Sequence, residues 1–257
     1  MLEPVRQALS DHKLFNLRPM RLPAVVAAVI PCLDEEDAIG PVVASVLGHG
    51  VPDVIVVDGA SKDRTAERAT AAGARVVVEP RRGYGRAIQA GTAALCEDTD
   101  IVVFLDGDGS DPAEFIPALI APIAAGEAVF TLGSRIRGKR EPGSLAPQQI
   151  AAGRVGGLLI RMMYGVRFSD LSPFRAIRCD ALRGLGMREA TYGWNLEMLM
   201  RVAAAGLPAK EIPVGQCRRI GGVSKVSGSF WAGLKAAAVL AMTFCRLALS
   251  LRRERRS

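Results

Sequence analysis

From residue 24 the chain alternates between two hydropathy patterns. Ala24–Ile30, Asp53–Val57, Arg75–Val78 and Ile101–Leu105 are short runs rich in Val and Ile, apolar at successive positions. Runs of this length without polar alternation predict strands buried on both faces, the habit of a parallel sheet. Between them, Ala38–Leu47, Asp63–Ala72 and Gly85–Cys96 carry Ala, Val, Ile and Leu at helical spacing. Strand and helix in repeated succession predict an α/β fold with a doubly wound, mostly parallel sheet. Pro112–Ala125 continues as helix, Ala128–Leu132 as strand, Gln148–Tyr164 as helix, Ser172–Arg178 as strand and residues 193–205 as helix. Ile136–Pro147 and Gln216–Ser229 lack periodicity and read as loops, and Phe230–Leu251 is the expected last helix. Ligands of such sheets sit at the carboxyl ends of the strands. The loops beginning at Pro31, Asp58, Glu79, Asp106 and Gly133 are therefore the places to look.

Composition narrows the class. The 257 residues are 49% hydrophobic and 23% charged, which excludes a disordered, collagen-like or coiled-coil chain. The expected division is an arm over 1–23, one domain over 24–228 and a basic tail over 229–257. Lys and Arg number 33 against 26 Asp and Glu, a net +7 that points to an anionic partner. Aromatics at 5% leave few platforms for stacking bases, so no nucleic acid is expected. Cys32, Cys96, Cys179, Cys217 and Cys245 are scattered and form no C-x-x-C, against a disulfide framework or a zinc site. A cytoplasmic location is expected on that ground, and the first 23 residues hold no secretory apolar run.

Four loops carry candidate chemistry. Asp106-Gly107-Asp108-Gly109 ends the Ile101–Leu105 run, where two carboxylates two residues apart can share a hard cation. The flanking glycines let backbone approach a bulky ligand, although Asp and Gly also make ordinary turns. Val57–Thr65 places Asp58 at a strand end, where it can accept from a base or a ribose, and Asp63 where it can cap the next helix. Pro31–Glu36 is acidic, and Glu35 and Glu36 suit a helix start. Pro80–Arg86, rich in Gly and Arg, is a candidate anion cradle.

Together and in this order, these motifs resemble the family 2 glycosyltransferases of the GT-A fold. The matching stretches are Ile30–Glu36, Val57–Thr65, Gly83–Ala87, Asp106–Gly109 and Gly133–Arg135. Further stretches, Asp170–Ala176, Tyr192–Met198 and Arg218–Lys225, resemble the branch that transfers sugars to polyprenyl phosphates, such as dolichyl-phosphate mannose synthase. Gly59 and Ala60 depart from the usual acidic or Asn residue and Gly, and Pro173 replaces a Gly.

The resemblance implies a metal-dependent, inverting hexosyl transfer from a nucleotide-diphosphate sugar, with a UDP-hexose favoured over GDP-mannose. It implies donor binding by Pro31, Leu33, Glu35, Asp58, Arg82, Gly83, Asp106, Gly107 and Asp108, with Mg²⁺ or Mn²⁺ on Asp106 and Asp108. A polyprenyl phosphate acceptor would need cations and no base, and Ser134, Arg135, Arg175, Arg218, Arg219 and Lys225 are the candidates. A hydroxyl acceptor on a soluble metabolite or glycan would need a carboxylate base, for which Asp170 and Glu197 are the candidates. Asp108, Asp170, Glu197 and Arg135 are thus the expected catalytic set. A nucleotidyltransferase and a non-enzymatic module for anionic lipid are remote alternatives. Lys235 and Arg246 interrupt the last apolar segment on one helical face, and Arg252–Arg256 follow. Residues 230–256 are therefore expected to lie on a membrane surface, cytoplasmic side, with packing on the domain itself or on a second copy as the alternative.

Overall fold

The computed structural model describes residues 17, 20, 23–221 and 241–251. Lys225, most of the arm, the first half of the expected last helix and the basic end at 252–256 lie outside the described residues. Four strands, β1 (Val26–Cys32), β2 (Asp53–Asp58), β3 (Arg75–Val78) and β4 (Ile101–Phe104), run parallel with β1 in the middle. Three more, β5 (Phe130–Ser134), β6 (Arg175–Arg178) and β7 (Ala209–Pro213), complete a seven-stranded sheet of order β3-β2-β1-β4-β6-β5-β7. β6 runs antiparallel to both neighbours, and β7 is parallel to β5.

The apolar runs are continuous because both sheet faces are covered. Along β1, Val29 points into one apolar cluster, while Ala28 and Ile30 point into the other. The first cluster takes Ile88 of α3 (Tyr84–Ala93), Leu182 of α6 (Cys179–Leu185), and Leu196 and Leu199 of α7 (Trp194–Ala204). The second takes Ile39 and Val43 of α1 (Glu36–Gly48), Ala69 of α2 (Thr65–Ala71) and Leu119 of α4 (Ile116–Ala124). A further helix, α5 (Pro147–Tyr164), packs against α7, and the described part of the last helix, 241–251, sets Leu247 and Leu251 into the first cluster.

Two strands depart from the sequence reading, and no helix was expected where α6 lies. β7 was not expected: its Ala-Lys-Glu-Ile-Pro is an edge strand, only half covered, so its composition lacks the buried-strand signature. The strand expected over Ser172–Arg178 starts at Arg175, because the Ser172 hydroxyl accepts from Phe174 N–H and the carbonyls of Ser172 and Pro173 receive the Arg175 guanidinium. All five cysteines are free.

Candidate active site

The loops after β1 and β2 are tied to each other by side chains. Asp34 N–H donates to the Ser61 hydroxyl at 2.9 Å, and Lys62 N–H donates to the Asp34 carboxylate at 2.8 Å. Glu35 N–H donates to the Thr65 hydroxyl at 2.8 Å, and Glu36 N–H to the Asp63 carboxylate at 3.1 Å. Asp63 also accepts from Thr65 N–H at 3.0 Å, so it ties the first residue of α2 to the start of α1, while Arg64 occupies the cap position. Polar residues of both motifs thus build one rim. Asp58 itself is buried and accepts from Ser61 N–H at 3.0 Å; its neighbour Gly59 faces the open space.

The Asp-rich loop after β4 crowds three carboxylates. Asp106 accepts from the Tyr84 hydroxyl at 3.2 Å and donates its N–H to Asp111 at 3.1 Å. Asp108 accepts from Ser110 N–H at 2.9 Å and lies 3.5 Å from the Arg219 guanidinium. Burial, then the charges of Asp111 and Asp108, push the Asp106 carboxyl well above the usual carboxylate range. Burial likewise pushes Asp111 up to about 7, against the Asp106 N–H and the Arg135 charge. One buried Asp111 oxygen, Oδ1, has no hydrogen-bond partner. Such a concentration of acceptors fits a hard divalent cation. No group of three His, Cys, Asp or Glu among the described residues forms a ready cage, so an ion here would need ligands from a bound molecule.

The Gly-Tyr-Gly stretch opens α3 for a packing reason. Gly83 has φ +146°, and a Cβ there would stand 2.4 Å from the Ala190 carbonyl oxygen; at Gly85 it would stand 2.1 Å from that of Glu189. The 188–192 segment therefore rests directly on this backbone and stacks Tyr192 on Tyr84, with ring centroids 6.2 Å apart. Arg81 turns away to Glu79 in a two-pronged pair, leaving Arg82 toward the open space.

The charges expected to act on the acceptor separate into two groups. Arg135 is bound to Asp170 by Nε at 2.9 Å and Nη2 at 2.8 Å, and its own N–H also donates to Asp170 at 2.9 Å. Burial opposes ionisation of Asp170, yet Arg135 and the Leu171 N–H hold its carboxyl below the usual range. Glu197 is wholly buried and accepts from Arg188 N–H, Glu189 N–H at 2.7 Å and Arg201 Nε at 2.8 Å. It fixes the 188–192 segment and does not line the cleft. Arg175 is also wholly buried, donates to the carbonyls of Ser172, Pro173 and Asn195, and is lowered to about 10 by burial. Ser134 is buried against the Ser169 hydroxyl at 2.7 Å. Neither Arg175 nor Ser134 reaches the cleft in this arrangement.

What remains open is a cleft of about 960 Å³ at the carboxyl ends of β1, β2 and β4. Pro31, Leu33, Glu35, Arg82, Gly83, Asp106, Gly107 and Asp108 line it. Arg135, Arg218 and Arg219 line it as well, and Arg219 pairs with Glu35 at 2.8 Å. Arg218 N–H donates to Glu141 at 2.7 Å, so the two aperiodic loops at 136–147 and 216–221 hold each other over the cleft. Tyr84, Tyr192, Gln149 and the turn at 143–146 line it too and were missed by a search for charges. The pairing of Gly83 and Gly85 around Tyr84 was the one available signal.

The sequence profile described as Glycosyl transferase family 2 matches residues 27–186. An uncharacterized glycosyltransferase of Mycobacterium tuberculosis is 39% identical over 209 residues, covering 79% of this chain and 90% of its own. A dolichyl-phosphate hexose transferase of Haloferax volcanii is 34% identical over 200 residues, covering 76% of this chain and 84% of its own. Among solved structures, glucosyl-3-phosphoglycerate synthase from Mycobacterium tuberculosis, in complex with Mn²⁺, UDP-glucose and phosphoglyceric acid, superposes with a TM-score of 0.70. That likeness covers 96% of this chain and 84% of the other at 21% identity, and it establishes the fold. The expected GT-A sheet is the one observed.

Proposed function

The chain belongs to glycosyl transferase family 2, and from that premise we propose that it moves a hexose from a nucleotide-diphosphate sugar to the phosphate of a polyprenyl phosphate, inverting the anomeric centre. The observation that carries this reading is the state of the carboxylates. A hydroxyl nucleophile needs a base to take its proton. Glu35 is paired with Arg219, Asp170 with Arg135, and Glu197 is enclosed by amides and Arg201. A phosphate monoester has its second pKa near ~6 and arrives already charged. Its oxygen bonds to the anomeric carbon as the bond to the donor diphosphate oxygen breaks, and the nucleoside diphosphate leaves with that electron pair. Arg82, Arg218 and Arg219 line the cleft where these phosphates would be held.

Asp106 and Asp108 would hold Mg²⁺ or Mn²⁺, a fit supported by the crowded carboxylates and the unpartnered Asp111 oxygen. When bound, the ion supplies a Lewis acid that neutralises diphosphate charge. The rim tied by Asp34, Ser61 and Thr65 orients the nucleotide, and Tyr84 holds the Asp106 carboxylate in register. A uridine donor is the first choice, the donor that the solved structure contains. The dolichyl-phosphate relative supports the lipid acceptor, which would be met at the cytoplasmic face of a membrane. A hydroxyl of a small phosphorylated metabolite is the second reading, favoured by the phosphoglyceric acid in that same structure.

The test is transfer from a panel of UDP- and GDP-sugars to a short polyprenyl phosphate or to 3-phosphoglycerate, with Mn²⁺ or EDTA. Metal-dependent lipid product is expected. Product on 3-phosphoglycerate alone would replace the first reading with the second.

A further inference from the structure

Helix α5 starts at the cleft, where Ala146 and Gln149 line it, and then runs away across the surface for 18 residues. Its inner face is glycine because it must lie flat. A Cβ at Gly157 would stand 1.8 Å from the Phe168 carbonyl oxygen, and one at Gly153 or Gly156 would crowd Asp170 or Leu171. With ~100° per residue, Gly153, Gly156, Gly157 and Ile160 share that face, and Val155, Leu158 and Met162 point in the opposite direction. These three are 56%, 54% and 75% exposed. Arg154 and Arg161 lie together on one flank of the apolar stripe, and both are exposed. The helix contains no acidic residue. Beyond its end, Arg167 and Arg137 join Arg161 around a recess of about 510 Å³, with Glu211 held inside it by Ser169 N–H at 2.6 Å.

We propose that this outer face of α5 is a docking surface for an anionic lipid bilayer. An exposed apolar stripe with cations along one edge, and no acid on the helix, matches the boundary between acyl chains and anionic headgroups. The arginine stems can lie along the apolar stripe with their guanidiniums reaching the phosphates. A second copy of the chain is a poorer occupant: a two-fold contact places the same face on itself, bringing like charges together. The segment 222–240 fits poorly as well, since it carries Lys225 and Lys235 and no acid to meet the arginines. The proposal deepens the polyprenyl phosphate reading, on which it rests only for the acceptor's identity. A lipid phosphate drawn from a bilayer under α5 would enter the cleft past Gln149 and Ala146. It adds an element next to the site to the membrane contact expected of residues 230–256.

The experiment is co-sedimentation of the full chain with vesicles of phosphatidylcholine alone, or with phosphatidylglycerol added, at low and high salt. Two paired variants are compared: Leu158→Gln with Met162→Gln, and Arg154→Gln with Arg161→Gln. All four positions are exposed, so the thermal melting curve is expected to stay with the parent. Binding is expected only with phosphatidylglycerol and to weaken at high salt. The apolar pair should weaken it roughly tenfold or more. The arginine pair should weaken it on the order of twentyfold, about fivefold for each charge removed. A parent chain that ignores both vesicles overturns the proposal, as do variants that bind like the parent, or variants that change the mass in solution without changing vesicle binding. Transfer to short polyprenyl phosphate in detergent is read in parallel and keeps the two claims separate. If transfer persists while the α5 variants bind vesicles like the parent, the surface fails alone. If the variants lose vesicle binding and no chain transfers sugar to lipid, the acceptor reading fails alone.

Discussion

The half of the cleft built on β1–β4 and the half built on β5–β7 use the same residue types, Asp, Glu and Arg near strand ends, for opposite purposes. On the first half, Asp106, Asp108 and Arg82 face the cleft, and the polar residues beneath them tie loop to loop. On the second half, Asp170, Glu197 and Arg175 turn inward, where each is met by a counter-charge or by backbone. A charge at a strand end is therefore chemistry only if its partners lie outside the fold. Where amides and guanidiniums already surround it, it is scaffold.

The sharpest way to break this comparison is Glu197→Ala. It would leave Arg201 buried without its carboxylate and free the amides of Arg188 and Glu189, so a loss of about 3–5 kcal/mol is expected in urea unfolding. A normal denaturation midpoint with lost transfer would instead return Glu197 to the catalytic set. Asp108→Asn should show the mirror image: transfer down by about 100- to 1,000-fold with the midpoint nearly unchanged. Calorimetric titration of Mn²⁺ with nucleotide would show the same loss without relying on turnover.

Asp170→Asn comes next, at about 2–3 kcal/mol, because the amide keeps part of the hydrogen bonding. Its dependence on pH has a definite sign. Asp170 titrates below the ordinary 3.8 in the fold, so its contribution is full at neutral pH and is lost as pH falls through its folded value. Parent and variant should therefore converge in acid and differ most above about pH 5, which thermal melts across pH would read. The smallest effect belongs to Arg218→Gln, an exposed cleft cation whose loss should raise the acceptor KM about fivefold, near 1 kcal/mol, with stability unchanged.

Much of the first half was legible in the sequence, and the reasons are physical. A strand buried on both faces has to be apolar throughout, so β1, β2 and β4 announced themselves, and the loops after them carried the Asp and Gly that a cation and a diphosphate would require. The second half hid two of its elements. β7 sits at an edge and tolerates Lys210 and Glu211, and α6 is only seven residues long. Charge alone could not tell Arg219, which faces the cleft, from Arg175, whose guanidinium is taken up by three carbonyls of its own surroundings. Tyr84 and Tyr192 were overlooked because aromatic residues carry no charge to mark them. What sets them at the cleft is the contact of Gly83 and Gly85 with the 189–190 backbone, a tertiary event.

The lipid-phosphate reading turns on Glu35, Asp170 and Glu197 being held by guanidiniums and amides, and the linkage of the product tests it most directly. The full chain would be offered a nucleotide sugar with a short polyprenyl phosphate and, separately, the matching polyprenol, and the products examined by phosphorus–proton correlated NMR. The account predicts product from the phosphate alone, with the sugar's anomeric proton coupled to phosphorus. A glycoside formed on the polyprenol hydroxyl, with none on the phosphate, would contradict it.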